Sequence, residues 1–94
     1  MAAPTVEAPD FDVSDVQWGT IGFPTLTFVI IYQGSKMFVS CCYEAYSGSK
    51  MTASGTLNGS FLKNIATRSS IIFPLGTDNI TKVCLKSNEL INAQ

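Results

Sequence analysis

Three thiols are the strongest nucleophiles in this chain: Cys41, Cys42 and Cys84. Catalysis by a cysteine usually draws on a histidine, and the chain has none. Neither a Ser-His-Asp nor a Cys-His site can be built from a single copy. A lysine could lower a thiol pKa instead. However, Lys36, Lys50, Lys63, Lys82 and Lys86 are scattered, as is Arg68. The thiols therefore read as small apolar residues. Cys41 and Cys42 are neighbours on a predicted strand, so their side chains point to opposite faces and do not bond to each other. Pairing of Cys84 with either one is left open.

Metal and carboxylate chemistry fare no better. No Cys-x-x-Cys spacing is present, and after residue 15 the only acids are Glu44, Asp78 and Glu89. A paired-carboxylate site needs two acids about 5–10 Å apart. Two Gly-Ser-Lys segments, at 34–36 and 48–50, invite a phosphate reading. A phosphate loop, however, has a longer glycine spacing and opens a helix, so turn chemistry explains both segments better. We expect no enzyme, no metal and no cofactor.

The composition points the same way. The chain of 94 residues is 46% hydrophobic and only 14% charged, with a formal net charge of -1. An average globular chain is about 25% charged. Ser, Thr and Asn supply roughly a quarter of the residues, so hydroxyls and amides must carry the solvation. Dispersed bases and a near-neutral balance argue against nucleic acid. The apolar run at 21–32 contains Pro24 and is shorter than the ~20 residues that a spanning helix needs. With no basic then apolar leader at the start, the expectation is a soluble protein, in no particular compartment, without membrane contact.

The elements that must carry these residues read as strands. Residues 25–32, Thr-Leu-Thr-Phe-Val-Ile-Ile-Tyr, are β-branched or aromatic almost throughout. Gly34-Ser35 suits a two-residue hairpin turn. Closing that turn sets Tyr32 opposite Met37, Ile30 opposite Val39, Phe28 opposite Cys41 and Leu26 opposite Tyr43, all apolar and all on one face. The segment Tyr32-Gln33-Gly34-Ser35-Lys36-Met37 recurs with one change as Tyr46-Ser47-Gly48-Ser49-Lys50-Met51. Asn58-Gly59 adds a third hairpin signal. Together they predict a four-stranded meander over 25–33, 36–47, 50–57 and 60–67. Further strands are expected at 11–18, with a bulge between Val13 and Val16, at 70–73, and at 79–86. Gly76-Thr77-Asp78 reads as a turn, and residues 87–94 as a frayed helical turn or a last short strand. The fold class is all-β: a small antiparallel sandwich or partly closed barrel of six or seven short strands.

Residues 1–12 read as a flexible acidic arm, followed by a single β domain over 13–94. Glu7, Asp10, Asp12 and Asp15 come before any base, so the arm could reach a neighbour. The meander's second face carries Val29, Ile31, Phe38 and Tyr46, too apolar for a solvated face. Those four residues are the expected partner-binding surface. The function that follows is non-enzymatic. It is that of a structural or assembly protein that associates with other copies of itself, such as a capsid-decoration or tail subunit of a virion. The alternative is a small monomeric binding module or inhibitor that grips a partner protein by a strand edge or its hairpin loops.

Overall fold

The computed structural model describes residues 3–77 and 79–88. It is a two-layer β-sandwich, as the all-β reading requires. The strands are β1 (Thr5–Glu7), β2 (Phe11–Gly19), β3 (Thr25–Tyr32), β4 (Phe38–Ser47), β5 (Lys50–Thr56), β6 (Phe61–Leu62), β7 (Ala66–Ile72) and β8 (Lys82–Asn88). One sheet has the order β1-β8-β4-β5, with β6 also paired to β4. The other has the order β2-β3-β7.

The expected meander does not form. β3 pairs with β2 and β7, while β4 pairs with β5, β6 and β8. The segment at 33–37 is therefore an arch that carries the chain from one sheet to the other. The alternation in the sequence has the same appearance in either arrangement. In a hairpin, Phe28 and Ile30 would lie beside Cys41 and Val39. In the arch they face each other across the core, and all four are fully buried. Strand β3 is the centre of its sheet, and its outward Thr27, Val29 and Ile31 are half-buried.

The repeated Gly-Ser-Lys segment thus adopts two geometries. At Gly48 it makes the expected tight hairpin, with Ser47 paired to Lys50 and a φ of 64° that glycine tolerates. At Gly34 φ is not in the left-handed region. There the Tyr32 ring lies over the glycine, where a Cβ would collide with it. The Lys36 N–H donates to the Tyr32 hydroxyl at 3.1 Å, closing the arch.

Asn58-Gly59 is not a hairpin turn either. β5 and β6 both run antiparallel to β4 along the same side of it, and the Leu57 N–H bonds to the Cys41 carbonyl at 2.8 Å between them. The chain bulges there without reversing. The strand expected at 60–67 is split by residues 63–65, where Asn64 at φ 66° turns the chain toward the other sheet. β7 then absorbs the separate strand expected at 70–73.

Residues 5–7, expected to be flexible, form a parallel edge strand against β8. Val6 lies beside Val83, Pro4 is buried, and the Thr5 N–H bonds to the Thr81 carbonyl at 3.0 Å. Two apolar side chains and a backbone ladder outweigh the entropy of a short arm. The bulge in β2 falls where expected: the register against β3 shifts between Ser14 and Gln17, and Asp15 takes a φ of 52°. The last strand begins at Lys82 rather than at 79, and Ser87 and Asn88 belong to it. Asp78 and residues 89–94, with the rest of the expected C-terminal element, lie outside the described residues.

Candidate interaction surfaces

The four residues expected to share one partner-binding face are divided between the two outer faces of the sandwich. Val29 and Ile31 lie outward on β3, whereas Phe38 and Tyr46 lie outward on β4, in the other sheet. Their separation follows from the arch, since a hairpin would have kept them together.

Val29 is flanked by Ser14 on β2 and Arg68 on β7. Arg68 reaches across β3 to Asp15, with a nitrogen–oxygen distance of 2.8 Å. The bulge makes this reach feasible, because it carries Asp15 out of the ladder. Val29 is therefore partly covered by a contact within the chain itself. Hydrogen bonding to Arg68, and then its positive charge, hold the Asp15 carboxyl below the usual carboxylate range. Its folded pKa is thus depressed. Any stability the pair supplies is present above the unfolded pKa and is lost as the pH falls through the folded value. Arg68→Ala is expected to return the Asp15 titration to the ordinary range, read from its side-chain carboxyl resonance by NMR. An unchanged titration would disprove the contact in solution.

Tyr46 is held in a polar chain on the other face. Its hydroxyl donates to Glu44 at 3.1 Å, Lys86 approaches Glu44 at 3.4 Å, and the Lys82 ammonium stands 4.8 Å from the Tyr46 ring centre. Bonding to the Glu44 carboxylate raises the Tyr46 pKa, with lesser contributions from burial and from the charge on Glu44. Phe38 is 44% exposed, and its cross-strand neighbour Leu62 is 55% exposed. The two form an apolar step at the arch end of the sheet. Met37 and Ile65 extend it, joined by bonds from Lys63 N–H to the Met37 carbonyl and from Ile65 N–H to the Leu62 carbonyl.

The thiols are separated as the strand reading requires. Cys41 faces the core, and burial, with a smaller effect from Cys42, pushes its pKa up to about 12. It stays protonated at neutral pH. Cys42 and Cys84 lie on the outer face, opposite Lys86 and Glu44 respectively. All three are free. Among the described residues no group of three or more acids and cysteines could hold a metal ion, and no helix is long and apolar enough to cross a membrane.

The sequence reading missed the two flanks of the sandwich. β1 and β2 are joined by three residues and form one flank. β5, β6 and β7 form the other. Among the described residues nothing pairs with the outer edges of β5 and β7. A cleft of about 230 Å³ opens between them, lined by Tyr43, Leu57, Asn58, Ser70 and Ile72 among others. Tyr43 lies across Gly55, its paired residue on β5. The outward-directed backbone groups of both strands, each seven residues long, are therefore open. Neither contains a proline, and their only charges are Lys50 and Arg68. Such edges are templates for further strand pairing. A signal for this flank was present in the sequence: no acid occurs from 45 to 77.

At the opposite end from the arch, the loop at 20–24 projects Ile21, which is fully exposed, and Phe23. They line an open cleft of about 390 Å³ with Trp18 and Thr25. No protein-family model, no curated protein and no solved structure matches the chain.

Proposed function

We propose that this chain is a non-enzymatic assembly protein that associates with further copies of itself, in the manner of a capsid-decoration or tail subunit of a virion. The observation that carries this reading is the flank formed by β5 and β7. Two open edges lie side by side there, with exposed Leu62, Ile65 and Ile72 close by. Exposed backbone and apolar side chains together favour burial against another protein surface. The short parallel strand β1 adds to the reading, because it shows this sheet accepting an added strand at an edge.

Sedimentation velocity across about 1–100 μM, the range in which modest protein contacts form, tests the proposal. The expected result is a mean sedimentation coefficient that rises with concentration. A single monomeric species throughout would remove it.

A second reading draws on Ile21 and Phe23. Their loop could seat in a groove of a different protein, with the chain acting as a monomeric module. Recovery of one stoichiometric partner by a chain that stays monomeric, lost in Ile21→Ser/Phe23→Ser, would favour that reading.

A further inference from the structure

The fold sorts the charges to opposite flanks. Glu7 on β1, Asp10 in the link, and Asp12 and Asp15 on β2 occupy one side, and no base occurs before residue 36. Lys50 on β5, Lys63 after β6 and Arg68 on β7 occupy the other, with no acid between 45 and 77. The remaining described charges, on the arch, β4 and β8, lie between the flanks.

Some of these groups are already engaged within the chain. Asp15 pairs with Arg68, and Asp10 accepts a bond from the Ser87 hydroxyl at 2.9 Å. Glu7 accepts a weak bond from the Cys84 thiol at 3.7 Å but is exposed, as is Asp12 on the same acidic flank, and Lys50 and Lys63 are exposed on the basic one.

Resting on the self-association proposed above, we infer that the contact is heterologous: the acidic β1/β2 flank of one copy meets the basic β5/β7 flank of the next. A two-fold contact through either flank would set like charges against each other. Joining unlike flanks opposes Glu7 and Asp12 to Lys50 and Lys63.

The strand directions agree with this arrangement. β2 and β7 are both antiparallel to β3, so in an equally oriented neighbour β7 meets a parallel β2. β5 is antiparallel to β4, and so is β8, the parallel partner of β1, so β5 meets a parallel β1. Both sheets then continue from copy to copy. Each added copy leaves one flank of each sign open, so the assembly grows into a filament or closes as a ring.

The test is a charge swap read by sedimentation, with circular dichroism to show that each variant is folded. Glu7→Lys/Asp12→Lys alone and Lys50→Glu/Lys63→Glu alone are each expected to associate at least about tenfold more weakly than the wild type. An equimolar mixture of the two restores assembly, because every contact then joins opposite charges again. Raising the salt from about 50 mM to about 500 mM weakens the wild-type assembly.

If the wild type associates but the variants match it, or the folded mixture stays dissociated, the flank assignment is wrong while self-association stands. A monomeric wild type overturns both. Should either double variant fail to fold, Asp12→Asn and Lys63→Gln carry the same test, since each must flatten the salt dependence.

Discussion

Phe28→Ala is expected to destabilise the protein by about 3–5 kcal/mol, the usual cost of removing a buried aromatic ring from a core. Phe28 is fully buried at the centre of β3, the central strand of its sheet. Its ring fills space between the two sheets, where no smaller side chain can move in without breaking ladder bonds on both sides of β3. Domains of this size have total stabilities of about 5–15 kcal/mol, so the loss takes a large share. Urea denaturation is the direct measurement. The thermal midpoint should fall by at least about 12 °C, taking about 4 °C per kcal/mol for a domain of up to 100 residues. Val29→Ala, one residue away and outward, is the control. It should cost about 1 kcal/mol or less, because Val29 is only half-buried. Equal losses at the two positions would mean that β3 does not present Phe28 inward.

Gly34→Ala should cost about 1–3 kcal/mol, through overpacking rather than backbone strain. An added Cβ would meet the Tyr32 ring, and that ring cannot swing away freely. It is 3% exposed, packs 5.6 Å from the Phe11 ring centre, and has its hydroxyl engaged by the Lys36 N–H. A double-mutant cycle isolates the contact. In a Tyr32→Leu background the ring is gone, and Gly34→Ala should then cost well under 1 kcal/mol. Gly48→Ala gives the contrast. Its φ of 64° makes it a backbone penalty of about 1 kcal/mol, independent of any ring. If Gly34→Ala costs the same with and without Tyr32, the arch geometry is wrong at that point.

Both predictions turn on features that were legible in the sequence to different degrees. That Phe28 points into a core was readable from the alternation of Leu26, Phe28, Ile30 and Tyr32 with less apolar neighbours. The β2 bulge was readable too, because the apolar positions fall out of step between Val13 and Val16. The divergence of Cys41 and Cys42 required only the two-residue period of a strand. The role of Gly34 was not readable. Its six-residue surroundings nearly repeat around Gly48, yet one copy arches between sheets and the other turns within one. The partner of β3 decides which, and that partner lies far away in the chain.

The candidate surface shows the same division. Val29, Ile31, Phe38 and Tyr46 are outward residues, as the alternation required, but they lie on two different outer faces. The acidity of the first fifteen residues and the lack of acids from 45 to 77 were visible as a linear bias. Only the strand order places them on opposite flanks.

The sequence by itself determined that the chain is all-β, which residues of β3 point inward, where the bulge falls, and that no histidine is available for chemistry. These are local properties, set by side-chain period, turn residues and composition. Met37, by contrast, expected on the core face opposite Tyr32, is exposed on the arch. The tertiary structure alone decided which strands pair, that 33–37 arches over the core, that β1 joins a sheet, and that charge is sorted by flank. Inward residues satisfy the hydrophobic effect equally beside each other or across from each other, because burial is non-directional. Backbone hydrogen bonding is directional but indifferent to side-chain identity. The choice between the pairings therefore rests on the packing of the whole chain at once.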